Sequence, residues 1–337
     1  RQASLATHRI YHLPILMLMP HGGCNCRCVM CDIWKANADN RQLSVDDFRP
    51  HLADIRSLGV RRVVLTGGEA LIHPNLWTFA SLLSDLGAKL TLLTTGLLLK
   101  RHATSVARWC DEVIVSLDGP RDIHDEIRRI PRAFDQLAQG IQEVHRLGPD
   151  VRVTGRCVIQ RRNYAHLAAT VSAARDLGLS QISFLAADVS TEAFNRAIPW
   201  EGTRVSDISL SLAECRDLSA AIEDLIARQA EDFSSGFIAE GPDKLRRLPR
   251  YFAALHGAGD FPGTTCNAPW VSAVIEADGA VRPCFFHQAL GNIHENSLET
   301  ILNAPGSIAF RRGLNVGVNP ICRKCVCTLN LPAFAAV

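Results

Sequence analysis

Twelve cysteines are many for 337 residues, and they are grouped: four fall within Cys24–Cys31 and three within Cys322–Cys327. Clustered thiols in a chain able to build its own apolar core read as metal ligands rather than disulfide staples. Cys24, Cys28 and Cys31 have three and two residues between them. That spacing can wrap one corner of a cubane cluster, one thiolate for each of three irons. A [4Fe-4S] cluster wants a fourth ligand, so one iron would stay open to a small molecule, as metal chemistry on a substrate requires. The alternative from these residues alone is a structural zinc site using Cys24, Cys26, Cys28 and Cys31. The one-residue gaps strain that geometry. Cys26 is then either a buried spectator or an alternative ligand.

The second group begins at Cys266, continues with Gly279-x4-Cys284, and ends in Cys322-x2-Cys325-x-Cys327. A hairpin presenting Cys266 and Cys284, met by the Cys322–Cys325 loop, brings four thiolates onto one metal. Spacing alone also allows a zinc ribbon.

Apolar runs at Ile15–Met19, Arg62–Thr66, Lys89–Thr94, Glu112–Leu117, Val151–Ile159 and Gln181–Ala186 read as strands, several continuous enough to be covered on both faces. Helical patterns lie between them at Ser44–Leu58, Leu76–Leu86, His102–Trp109, Pro131–Leu147 and Tyr164–Leu177. Gly59, Gly87, Gly148 and Gly178 suit left-handed helix ends. The expected fold is α/β, a partial (β/α)6 barrel with its chemistry at the C-terminal ends of the strands. It is followed by a small C-terminal β-hairpin/α cluster-binding module. The expected segments are the barrel at 1–189, a helical connection covering it at 190–262, and the cysteine module at 263–330. Leu210–Gln229 reads as one long amphipathic helix, a candidate together with the cysteine module for covering the barrel mouth, and Asp278-Gly279 as the turn of a hairpin between Trp270–Ile275 and Val281–Phe286.

Cys24-x3-Cys28-x2-Cys31 after the first strand resembles the radical S-adenosylmethionine superfamily, and further segments fall where that family places its motifs. Gly67-Gly68-Glu69 closes the second strand and resembles the family's Gly-Gly-Glu. Two glycines let backbone approach a ligand closely, and the carboxylate offers an acceptor to an ammonium group. Thr94-Thr95-Gly96 ends the third strand, Ser116-Leu117-Asp118-Gly119 the fourth, and Arg128 follows. The resemblance implies S-adenosylmethionine contacts from Met30, Gly67, Gly68, Glu69, Thr95, Ser116, Asp118 and Arg128. Glu69 would take the ammonium group, Ser116 and Asp118 the ribose side, and Arg128 the carboxylate, which suits a guanidinium fork. Met30, Ala70 and Thr95 depart from the family's usual aromatic, proline and asparagine. With the first site in view, the second group resembles the SPASM/twitch extension. One auxiliary [4Fe-4S] cluster would sit on Cys266, Cys284, Cys322 and Cys325, making two clusters in all.

The resemblance implies reductive cleavage of S-adenosylmethionine, with an electron from flavodoxin or ferredoxin, and hydrogen abstraction from a substrate at the barrel mouth. The leading expectation is dehydrogenation of a small polar metabolite (a sugar, aminocyclitol or nucleoside), with the auxiliary cluster as electron acceptor. The alternatives are an epimerase with Cys327 or Cys26 as hydrogen donor, and a peptide-modifying maturase. The maturase ranks lower because few residues precede the first strand. A two-site electron-transfer protein has no need of Gly67-Gly68-Glu69 and Arg128. Lys and Arg number 36 against 34 Asp and Glu, a balance that speaks against nucleic-acid partners. Leu13–Met19 is too short to span a membrane and has no secretory flanks, so a cytoplasmic location is expected. Cys110, Cys157 and Cys215 read as small core residues.

Overall fold

The computed structural model describes residues 2–193, 196 and 198–332; Arg1 of the expected 1–189 segment, and Phe194, Asn195 and Ala197 of the 190–262 segment, lie outside the described residues. Six parallel strands run in sequential order: β1 (Ile15–Leu18), β2 (Arg62–Leu65), β3 (Lys89–Thr94), β4 (Glu112–Ser116), β5 (Arg152–Ile159) and β6 (Ile182–Ala186). Sequential parallel neighbours follow from strand–helix–strand units of one hand. Burial along the strands alternates. Val63, Leu65, Val113, Val115, Cys157 and Ile159 are buried in the core, while Val64, Ile114, Ser116, Arg156 and Val158 are only half covered. The continuous apolar runs had suggested two covered faces, but one face of β2, β4 and β5 is only half covered.

The main helices are α1 (Leu52–Ser57), α2 (Leu76–Ser84), α3 (Leu99–Trp109), α4 (Arg121–Arg128), α5 (Ala133–Leu147) and α6 (Leu167–Asp176). The expected single helix over Ser44–Leu58 is interrupted by a 3-10 turn at Arg49–His51, where Pro50 removes a backbone donor. Gly59, Gly87 and Gly178 take positive φ as expected, but Gly148 has φ −136°. Its reason for being glycine is steric, since a Cβ there would stand 2.8 Å from Ala107 on α3. Helix α4 was not foreseen. Its run of charged residues masks the apolar pair Ile123 and Ile127, of which Ile127 is fully buried.

The expected hairpin is present as β7 (Ser272–Ile275) and β8 (Ala280–Arg282), with β9 (Gly291–Asn292) beyond it. It does not form a sheet of its own. β7 pairs in parallel with β1, Ile15 opposite Ser272 and Leu18 opposite Ile275, so all nine strands form one sheet ordered β6-β5-β4-β3-β2-β1-β7-β8-β9. The free edge of β1 is thereby paired. β8 ends at Arg282 rather than Phe286 because Pro283 cannot donate to a ladder.

Helix α7 (Leu212–Arg228) opens with a capping box between Ser211 and Glu214. It packs against α6 and α9 on the flank of the barrel, not over its mouth as expected. The inner face is covered instead beside β5 and β6 by α8 (Pro242–Leu245) and α9 (Arg247–Leu255), whose Lys244, Arg247, Leu248 and Tyr251 face those strands. Among the described residues no helix is long and apolar enough to cross a membrane.

Candidate iron–sulfur and cofactor site

The first cysteine loop leaves β1 at its C-terminal end and is held from three sides. Asn37 grips Cys24 twice, accepting from its backbone N–H at 2.8 Å and donating to its carbonyl at 2.9 Å. On another side Val29 N–H donates to Ile127 O at 3.0 Å and Arg27 N–H to Arg128 O at 3.3 Å, fastening the loop to the end of α4. On the third, Glu69 N–H donates to Gly23 O at 3.0 Å. That approach is why position 68 must lack a side chain, because a Cβ on Gly68 would lie 2.1 Å from the same oxygen. The Gly67-Gly68 pair thus fits the cysteine loop against β2 in this structure, in addition to whatever it offers a ligand.

Glu69 is fully buried, and its carboxylate ties β2 to β3. It accepts from Leu71 N–H at 3.1 Å, Thr95 N–H at 2.7 Å, Thr95 Oγ1 at 2.6 Å and Thr94 Oγ1 at 2.9 Å. Burial raises its pKa, and the donors from Thr95, Leu71 and Thr94 pull the other way. Thr95 Oγ1 also stands 3.0 Å from Asn25 Oδ1 inside the cysteine loop, linking the end of β3 to that loop.

Asp118 and Arg128, expected to contact separate parts of a cofactor, contact each other. Arg128 Nη2 lies 2.5 Å from Asp118 Oδ2, and both side chains are buried. Arg128 Nη1 donates to Cys28 Sγ at 3.5 Å, while its Nε is buried with no partner. Burial works against the guanidinium charge, but Asp118 and Cys28 outweigh it and raise its pKa. Asp118 Oδ1 also accepts from Val158 N–H at 3.0 Å, bracing β4 against β5. Ser116 is half-buried on β4 opposite Arg156. Met30 is half-buried and packs on the small apolar cluster of Val29, Ile127, Ala187, Val189 and Ile208.

The thiols of the loop differ. Hydrogen bonding from the Cys26 thiol, outweighing burial and assisted by Arg128, lowers Cys28 to about 6. Burial pushes Cys31 up to about 12. Cys26 is buried, its N–H 3.4 Å from Cys24 Sγ, and its thiol is held protonated by hydrogen bonding to Cys24 and Cys28.

Several residues that position this loop were missed by sequence reasoning. Trp200 Nε1 donates to Asp32, the residue after Cys31, at 2.7 Å. The Trp200 ring is stacked by Arg196, which is paired with Asp188 at the end of β6 in a wholly buried contact of 2.6 Å. The segment after β6 is therefore fastened to the cysteine loop. His124 Nδ1 accepts from Asp118 N–H at 3.2 Å, and burial lowers its pKa to about 3. Gln160, fully buried just past β5, has neither end of its amide partnered. The one readable signal was a polar residue closing an apolar strand.

The second group assembles from three separated stretches. Cys266 precedes Asn267, whose side chain exchanges hydrogen bonds with both backbone groups of Leu331, at 2.8 and 2.9 Å. Cys284 follows β8, and Cys322 lies in the short helix Pro320–Arg323, capped by Asn319. Burial, and then the neighbouring Cys284 and Cys266, push Cys322 up to about 11. His287, which no motif pointed to, is buried with Nε2 3.2 Å from Cys322 Sγ. Cys327 is exposed, beside Cys325, whose thiol donates to the Cys327 carbonyl at 3.2 Å. Cys110, Cys157 and Cys215 are buried in the core. Among the described residues, no three His, Cys, Asp or Glu side chains stand close enough to share a single metal ion.

Residues 18–174 match the family model of the radical SAM superfamily, and residues 266–326 that of SPASM, an iron–sulfur cluster-binding domain. The chain carries a radical SAM domain followed by a SPASM domain. Its cofactors are accordingly a [4Fe-4S] cluster and S-adenosylmethionine, with further iron–sulfur binding in the SPASM part. Among curated relatives it is 25% identical over 290 residues, 84% of this chain, to the antilisterial bacteriocin subtilosin biosynthesis protein AlbA of Bacillus subtilis, covering 58% of that protein. It is 28% identical over 164 residues, 46% of this chain and 45% of the relative, to an AdoMet-dependent heme synthase of Methanosarcina barkeri. The chain spans about half the length of the curated relatives it matches. The same fold occurs in Streptococcus suis SuiB bound to its precursor peptide SuiA, with TM-score 0.67 and 16% identity over 96% of this chain and 73% of that one. It occurs also in anSMEcpe with bound AdoMet, with TM-score 0.66 and 19% identity over 92% of this chain and 82% of that one.

The donor set fits the iron–sulfur group. Soft thiolates suit it, Cys28 is already poised toward thiolate by Cys26 and Arg128, and the buried Nε of Arg128 and Nδ2 of Asn25 are left without partners beside the loop.

Proposed function

We propose that this chain is a radical S-adenosylmethionine enzyme that modifies a peptide. The [4Fe-4S] cluster would be held by Cys24, Cys28 and Cys31, and one auxiliary cluster by Cys266, Cys284, Cys322 and Cys325. The observation that carries the first assignment is the placement of those three thiols in a loop clamped by Asn37, Gly68 and the end of α4. Such a clamp holds ligand positions before any metal arrives. Bound there, the cluster and S-adenosylmethionine supply one-electron cleavage of the cofactor and removal of a hydrogen atom from the substrate.

The residues of this chain orient and enclose. Arg128, held charged by Asp118, donates to Cys28 and lowers the charge density on that sulfur. Gly67, Gly68 and Thr95 give the cofactor its edge along β2 and β3, Ser116 and Met30 lie farther round the rim, and Glu69 fixes the positions of Thr94 and Thr95. The Asp188–Arg196–Trp200–Asp32 contacts tie the end of β6 to the residue that follows Cys31. Thiols at Cys26 and Cys327 are the two candidates for returning a hydrogen atom.

A peptide replaces the small metabolite favoured by the sequence alone. The relative matched over most of this chain is a bacteriocin biosynthesis protein, and a fold neighbour was solved with its precursor peptide. The heme synthase match covers less than half of the chain. The experiment is anaerobic reconstitution and incubation with dithionite, S-adenosylmethionine and peptides encoded beside the gene. Mass loss or cross-linking of a peptide together with 5′-deoxyadenosine supports the reading. Turnover of a small metabolite with all such peptides inert rejects it.

A further inference from the structure

The half-covered inner face of the barrel contains a cavity of about 140 Å³ between β5–β6, helices α8–α9 and the loop Cys325–Thr328. Its polar lining is mostly cationic: Arg156, Lys244, Arg247 and Arg323 against Glu240. Three of these cations are already engaged. Lys244 lies 3.4 Å from Glu240, Arg323 lies 3.4 Å from Asp260, and Arg247 donates to the Gly263 carbonyl. Glu240 is occupied as well, accepting from Phe184 N–H at 2.8 Å.

Arg156 is different. It sits in the middle of β5, an otherwise mostly apolar strand, with its side chain on the inner face. Its Nε is buried without a hydrogen-bond partner, and no carboxylate among the described residues pairs with it. An arginine half-buried in a strand interior without a carboxylate partner carries a desolvation cost. A guanidinium fork is also the group that best matches a planar carboxylate.

We infer that Arg156 is the specificity residue of the substrate cavity and binds a carboxylate carried by an acidic residue of the peptide, with Lys244 and Arg247 shaping the surrounding potential. The cavity has room for about one side chain, and Cys327 lines its wall. The acidic residue would therefore be anchored next to Cys327. This deepens the peptide reading and rests on it.

The test uses the full chain, reconstituted anaerobically with its clusters and S-adenosylmethionine, and calorimetric titration with Ac-Ala-Glu-Ala-NH2, Ac-Ala-Gln-Ala-NH2 and glutarate. The acidic tripeptide is expected to bind about tenfold or more tightly than its amide, the discrimination of one charge-assisted hydrogen-bonded pair. Arg156→Gln should erase that ratio, and Arg156→Lys, a point charge without the fork, should keep part of it. Equal binding of the two peptides, failure of every carboxylate probe, or a ratio that survives in Arg156→Gln overturns the inference. So does an unchanged ratio accompanied by a shifted auxiliary-cluster potential, which would make Arg156 a partner of that cluster instead. Arg156-dependent binding of glutarate with both peptides silent would keep the carboxylate site and reject the peptide reading alone.

Discussion

The two cysteine groups are built in opposite ways. Cys24, Cys28 and Cys31 share one eight-residue loop gripped by neighbours from β2, α4 and Asn37, so the positions of these proposed ligands are set by local structure. Cys266, Cys284, Cys322 and Cys325, the proposed auxiliary ligands, come from stretches up to 59 residues apart, tied to the rest of the fold by the pairing of β7 with β1 and the hydrogen bonds of Asn267 to Leu331. A locally organised site tolerates losses elsewhere in the chain. A site assembled over long loops depends on the fold that closes them.

The sharpest way to break the comparison is at the ligands. Cys28→Ala should lower 5′-deoxyadenosine formation by more than about a hundredfold, beyond the effect of removing an outer partner of a metal site. Cys284→Ala should leave that cleavage within about a fewfold of the parent while halving bound iron, both read by product chromatography and iron assay. Loss of cleavage in both variants would mean that the sites are not independent. Next in size is Asp118→Ala, which strands Arg128 in the interior. It should cost about 3–5 kcal/mol in urea unfolding of the metal-free chain. A cost below about 1 kcal/mol would mean that the pair does not brace the loop.

Trp200→Phe keeps the ring over Arg196 and deletes the hydrogen bond to Asp32. It should cost about 1.5–3 kcal/mol, the range for bonds to charged groups. It should also speed oxygen-dependent loss of the first cluster, followed by its absorbance, and a cluster decay identical to the parent would remove Trp200 from the account. A further effect is set by pH. His124 is neutral in the fold, with its pKa lowered from 6.5 to about 3. Between those values the unfolded chain binds the extra proton, so stability is complete above about 6.5 and falls by about 1.4 kcal/mol per unit of pH below it. His124→Gln should flatten that slope in the metal-free chain.

The six barrel strands were legible in the sequence to within a residue or so at each end, because continuous Val, Leu and Ile runs and helix-ending glycines both point to strand–helix repeats. The cysteine spacing carried the family. What stayed hidden was the consequence of long-range pairing. Nothing local in Ser272–Ile275 says that its partner is β1 rather than a strand of its own module. Helix α7 reads as a lid by its amphipathic pattern, yet that face was claimed by α6 and α9. The Asp118–Arg128 pair was read as two ligand contacts because each residue type suits a cofactor, and only the fold shows that they face one another. Arg156 could have been found, since a lone arginine inside an apolar strand needs a reason.

The account turns on the thiols of Cys24, Cys28 and Cys31. Purified without oxygen and given iron, sulfide, dithionite and S-adenosylmethionine, the protein should release methionine and 5′-deoxyadenosine in equal amounts and fail to do so in the triple alanine variant. Zinc in place of iron at this loop, or identical product from the parent and the triple variant, would contradict it.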